Sequence, residues 1–149
     1  MSGPVATRNT CFALISAIEE DFRVLMSALG DPGGLLPADV KENALRRRSA
    51  DLRMDSIASD VREAELLAYI DFADIAKILE SRLAPRVESH RDWLVSTARL
   101  LLSLAGARNR VCHTRPLEPE DLPSLIDFSD RLIAASAPFP FYGVAAARS

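Results

Sequence analysis

Arg108-Asn109-Arg110-Val111-Cys112-His113 is the one compact group in the chain whose side chains could do chemistry together. It closes a long apolar run and stops just short of Pro116. On an α-helix Asn109 and His113 share a face, and Arg108 lies about 140° round from His113, within reach of a long guanidinium stem. Arg115 precedes a proline and is pushed out of the helical region, so the helix is expected to end near His113 or Thr114. The imidazole then sits in a C-terminal turn, beside carbonyls that lack a helical partner. Histidine is the side chain that takes up and releases protons near neutral pH, as an acid–base catalyst must. Arginine is suited to bidentate contact with phosphate. A structural alternative stands beside this one: Arg108 and His113 could cap the helix end by bonding its last carbonyls.

The elements that must hold this group read as helices throughout. Cys11, Leu14, Ile15, Ile18, Phe22, Leu25, Met26 and Leu29 recur at three-and-four spacing and predict a helix from Thr10 to Leu29. Gly30-Asp31-Pro32-Gly33-Gly34 breaks it. A second helix runs from near Pro37 to Leu52 or Met54 on a thin stripe of Val40, Ala44, Leu45 and Leu52. It carries Arg46, Arg47 and Arg48, which are either a solvated face or a phosphate-contacting patch. A third spans Ser59 to about Ile70. Asp71, with Asp74 three residues on, restarts the helix as a cap rather than as a pair of catalytic acids, and Phe72, Ile75, Ile78 and Leu79 face inward. Pro85 ends that element.

The longest helix is expected from Val87 to His113, burying Trp93, Leu94, Leu101, Leu102 and Ala105, with Gly106 letting another backbone approach closely and His90 on the surface. A last helix opens at Leu117-Glu118-Pro119-Glu120-Asp121, with acids at its positive dipole end and a core stripe of Leu122, Leu125, Ile126, Leu132 and Ile133. Pro138 to Gly143 is too rich in proline for helix and reads as a tail docked through its aromatics or a linker. No strand alternation or hairpin signal is present. The expected fold is therefore all-α, an up-and-down bundle of four to five helices over residues 10–136, with a tail at 1–9 and a proline/aromatic tail at 137–149.

Composition narrows the function classes. Nearly half of the 149 residues are apolar and the net charge is −3, so one folded domain is expected and no global field draws it to nucleic acid. Contact with RNA would need a local patch. Lys41 and Lys77 are the only lysines, an arginine bias that a GC-rich genome also produces. Cys11 and Cys112 lie in apolar helical patterns and read as buried free thiols. Two histidines, with no Cys-x-x-Cys or His-x-x-x-His spacing, give no metal site, and no cofactor is expected. Met1 to Arg8 has no apolar signal region and no run reaches spanning length, so the expectation is a soluble cytoplasmic protein.

With the motif on the penultimate core helix of a small bundle, the sequence resembles the HEPN superfamily (higher eukaryotes and prokaryotes nucleotide-binding domains). The resemblance spans about residues 10 to 136 and rests on Arg108-Asn109-Arg110-Val111-Cys112-His113, an Arg-x4-His motif opened as Arg-Asn. Tyr69 to Asp74 and the acidic opening after His113 look like the subgroup related to a transcription-linked endoribonuclease. One position departs: HEPN toxins silenced by nucleotidyltransferase antitoxins carry tyrosine two residues after the histidine, where this chain has Arg115. The resemblance implies a metal-independent endoribonuclease acting from a homodimer interface in a toxin–antitoxin, antiviral-defence or RNA-processing setting, with an antitoxin or associated regulatory protein as a further partner. His113 would be the acid or base, Arg108 the phosphate clamp and Asn109 an orienting amide, with Arg110, Arg115, Arg46, Arg47 and Arg48 contacting RNA. The alternative is a non-catalytic HEPN module that dimerises or binds RNA or nucleotide within a larger protein. Since neither Arg108 nor His113 belongs to an apolar stripe, alanine at either is expected to remove activity without unfolding the domain.

Overall fold

A computed structural model describes residues 3–29 and 34–149. Every regular element among them is helical: α1 (Pro4–Leu29), α2 (Ala38–Asp51), α3 (Glu63–Leu66), α4 (Phe72–Ile78), α5 (Arg91–Ser103), α6 (Ala105–Cys112), α7 (Asp121–Ile133) and α8 (Tyr142–Arg148). The all-α class is as the hydrophobic spacing requires. None of the described helices is long and apolar enough to cross a membrane. α1 is the longest and the others assemble round it, with α6, α7 and α8 against it and α4 packed on α5. Its stripe of Cys11, Leu14, Ile15, Ile18, Phe22 and Met26 is buried, facing Phe72, Ile75, Leu94, Leu101, Leu125 and Leu132 in one core. Each such side chain contributes at most about 1.5–3 kcal/mol through removal from water.

Several boundaries differ from the sequence reading, each for a local reason. Pro4 opens α1, so residues 4–9 are helix and not a tail; the fixed φ of proline suits a first helical position. Of the predicted glycine-rich break, residues 30–33 lie outside the described residues, and Gly34 has φ +102°, which favours glycine. The third helix shrinks to α3 and a 3₁₀ turn over Leu67–Tyr69. The stretch 52–62 before it, carrying Asp55, Ser56, Ser59 and Asp60, has no helix, as side chains that bond their own backbone disfavour one. Asp71 does cap α4: its carboxylate accepts from the Asp74 N–H at 3.1 Å, and Asp74 accepts from the Asp71 N–H at 3.1 Å. α4 then widens into a π turn over Leu79–Leu83.

The predicted helix 87–113 is interrupted. A 3₁₀ turn at Glu88–His90 precedes α5, and Leu104 separates α5 from α6. The Leu104 N–H is shared between the carbonyls of Leu100 and Leu101, at 3.1 and 3.0 Å, while the Ser103 hydroxyl also donates to Leu100 O at 2.6 Å. A serine bonding back in this way bends a helix. The turn leaves Leu102, expected inside, 59 % exposed.

The C-terminal tail docks. Phe141 meets Phe22 edge-on at 5.2 Å, and Phe139 lies between Trp93 at 5.9 Å and His90 at 5.3 Å. His90 is accordingly half-buried against an aromatic ring rather than free on the surface. Asp21 of α1 receives the first N–H groups of α8, from Gly143 at 3.2 Å and Val144 at 2.8 Å. A Cβ at Gly143 would stand 2.6 Å from Asp21 Oδ1, so the glycine lets the carboxylate close in. Asp21→Ala is expected to cost about 1–2 kcal/mol, the usual loss of a helix cap, and to expose Phe139 and Phe141 to chymotrypsin. Urea unfolding and limited proteolysis check this; an undisturbed tail would refute it.

Candidate functional site: an arginine-lined groove at the end of α6

α6 ends where the Arg115-Pro116 pair requires. Cys112 is its last residue, His113 the C-cap, and Thr114 follows at φ +54°. The Arg115 N–H returns to Arg110 O at 2.9 Å and the Thr114 N–H to Val111 O at 3.5 Å, the two reverse bonds of a Schellman turn. Glycine is the usual residue at the left-handed position of this turn, and a β-branched threonine there is strained. Thr114→Gly is expected to raise stability by about 0.5–1 kcal/mol, the strain relieved less the extra freedom of the unfolded chain. Destabilisation measured in urea would count against that account.

A second device holds the same end from across the fold. Arg8 of α1 donates from Nη1 to the carbonyls of Arg110 and Val111, at 3.1 Å each, and from Nη2 to Arg115 O. These bonds answer the capping alternative. The last carbonyls of α6 are taken by Arg8 and the backbone, while His113 is exposed and its side chain makes no hydrogen bond among the described residues.

Arg108 turns the other way. Its Nε lies 3.2 Å from Oε2 of Glu19, a carboxylate on the buried face of α1 that is 6 % exposed. Burial pushes the Glu19 carboxyl above the usual range, and the neighbouring Arg108 and Arg23 guanidinium groups oppose that rise. Arg108, Asn109 and His113 line one groove of about 360 Å³, together with Arg23, Arg47 and Asp71. Arg23 donates from Nε to Leu67 O at 2.8 Å, and Arg47 from Nη1 to Tyr69 O at 2.8 Å. The 3₁₀ turn that forms the opposite wall is thus pinned at two carbonyls. Arg47 also pairs with Asp74 at 2.6 Å and approaches Asp71 at 3.5 Å. Burial raises Asp74, and the hydrogen bond from Arg47 works against it. Cys112 is half-buried, and that burial raises its thiol, so it is not a reactive thiolate.

The remaining arginines separate by place. Arg46 pairs with Glu42 one turn back, and Arg48 with Glu65 at 2.6 Å, so of the run on α2 only Arg47 lines the groove. Arg110 lies instead against the start of α7, donating to Asp121 from Nε at 2.9 Å and from Nη2 at 2.6 Å. Its Nη1 would be 3.3 Å from a Cβ at Gly106, so what lies against this glycine is the Arg110 side chain and not the second backbone expected there. Arg115 is exposed and lies outside the groove wall, and Asn109 is exposed within it. His90 belongs to the tail contact, so one protomer brings one histidine to the groove.

A larger cleft of about 760 Å³ runs between the start of α1 and residues 114–122, the loop after α6 and the first residues of α7. Its lining is mostly apolar, and its one arginine, Arg8, already serves the carbonyls of the α6 turn. It offers no acid–base pair. Missing from the sequence reading were Glu19, Arg23 and Arg8. Glu19 carried a signal, standing between Ile15 and Phe22 in the register of the buried stripe; Arg8 and Arg23 carried none. Compared with models of known protein families, with curated proteins and with solved structures, the chain matches none of them.

Proposed function

We propose that this chain is an endoribonuclease of the HEPN kind, built as a HEPN-like helical bundle and cleaving RNA without a metal. The observation that carries this reading is the convergence of Arg108, Asn109 and His113 on one groove, with the imidazole exposed and unpartnered among the described residues. The ribose 2′-hydroxyl attacks the adjacent phosphorus while a base takes its proton. The bond from phosphorus to the 5′-oxygen breaks as an acid protonates that oxygen, leaving a 2′,3′-cyclic phosphate and a 5′-hydroxyl. Arg108 carries charge on the phosphorane and Asn109 orients the substrate. His113 supplies one proton transfer; its copy in a two-fold dimer, with the two motifs facing, supplies the other. DNA lacks the attacking hydroxyl and is not cut.

The test uses purified protein, 5′-labelled RNA and EDTA. Cleavage with cyclic phosphate ends, blocked by a single 2′-deoxy substitution at the scissile nucleotide, is the expected result. RNA bound but intact would support the second reading, a non-catalytic RNA- or nucleotide-binding module. That reading draws on the pairing of Arg47 with Asp74 and of Arg108 with Glu19, which leaves less free positive charge in the groove. Light scattering is expected to give a dimer, and a monomer at micromolar concentration would remove the second histidine.

A further inference from the structure

We infer that Glu19 is a positioning residue, holding the Arg108 guanidinium by its Nε edge so that the two terminal nitrogens face the groove. This rests on the endoribonuclease reading of that groove. Glu19 sits on the buried side of α1 among Ile15, Ile18 and Phe22, where an apolar side chain would complete the core. A carboxylate there loses hydration, and replacing a buried ion pair with apolar residues is often neutral or stabilising. Stability therefore does not account for Glu19. Geometry does: Oε2 takes the Arg108 Nε at 3.2 Å, and neither terminal nitrogen of Arg108 has a protein partner among the described residues. Oε1 lies 3.9 Å from Arg23 Nη2, and Arg23 is tied to the opposite wall through Leu67 O, so the carboxylate also sets the spacing of two guanidinium groups across the groove. The charged groups round it are Arg108, Arg23, Arg47 and Asp71. A clamp held at one edge meets the substrate phosphate without first being ordered, and a misplacement of about 1 Å in such a group costs on the order of a hundredfold in rate.

Glu19→Gln tests this, since it keeps the shape and an acceptor but gives up the charge that fixes the guanidinium. The expected result is a kcat lower by about ten- to a hundredfold with KM changed by less than about threefold, because the loss falls on the transition state. In an Arg108→Ala background the same change is expected to alter the residual kcat by less than about twofold, as it has nothing left to act through. The Arg108 Nε–Hε signal in a ¹H–¹⁵N spectrum, sharp and protected in the wild type, is expected to broaden or vanish. An equal fall in kcat in both backgrounds, an unchanged kcat, or an unchanged Nε–Hε signal would each overturn the assignment. If the wild type cleaves no RNA, the endoribonuclease reading falls and the Nε–Hε signal alone decides whether Glu19 holds the guanidinium.

Discussion

His113→Ala is expected to lower RNA cleavage by about a hundred- to ten-thousandfold, the usual contribution of a positioned acid–base group, and to leave the fold intact. The side chain is exposed and without a hydrogen-bond partner among the described residues. Its removal should shift stability by no more than about 0.5 kcal/mol, which is a degree or two in Tm. Arg108→Ala should lose activity as well and still leave the domain folded, but at a cost in stability that its place outside an apolar stripe does not foretell. Removing Arg108 leaves Glu19, 6 % exposed, without the guanidinium that hydrogen-bonds to it. Breaking one partner of a buried pair costs several kcal/mol, and with Arg108 itself partly exposed the expected loss is about 2–3 kcal/mol. Calorimetry on the two variants therefore separates them: the same lost activity, but a midpoint several degrees lower for Arg108→Ala alone. Equal midpoints would mean that the Glu19 contact adds nothing. A large fall for His113→Ala would return the imidazole to a structural role.

What the sequence disclosed was local, and what it concealed crosses the fold. The end of α6 is dictated by Arg115-Pro116, and the start of α4 by Asp71 and Asp74; both rules act within a few residues, and both hold. The bend at Leu104 is local too, yet a single serine and a glycine in an apolar run do not announce it. The groove is a different matter. Its walls come from α1, α2, the turn after α3, and α6, and its arginines are oriented by partners 22 to 89 positions away. Spacing assigns Arg46, Arg47 and Arg48 to one basic patch, but tertiary partners send Arg48 to Glu65 and Arg47 to Asp74. Similarly Arg8, in a stretch that composition marks as a tail, becomes the cap of a helix more than a hundred positions on.

Asp121→Ala is expected to cost as much stability as Arg108→Ala. The Asp121 side chain is 3 % exposed and accepts two bonds from Arg110, at 2.6 and 2.9 Å, and one from the Glu118 N–H at 2.9 Å. One carboxylate thus joins α6, which bears the motif, to the loop and first turn of α7. Asp121→Ala strands the Glu118 N–H and removes both hydrogen bonds of Arg110, leaving it only Glu118 at 3.8 Å, a loss of about 2–3 kcal/mol given that Arg110 can turn to water. The hydrogen bond from Arg110 holds the Asp121 carboxyl below its ordinary value of 3.8, with burial opposing. A carboxyl whose folded value is depressed stabilises fully above the unfolded value and loses that contribution as pH falls through the folded one. The stability gap between the wild type and Asp121→Asn should therefore be constant from neutral pH down to about 4 and close only below it. A gap that already closes between pH 7 and 5 would mean that the carboxyl is not depressed, and the tie between α6 and α7 would owe nothing to its charge. Because Arg110 and Arg108 leave the same helix for different partners, Asp121→Asn should also slow RNA cleavage less than Glu19→Gln does: it loosens the helix, whereas Glu19 touches the clamp.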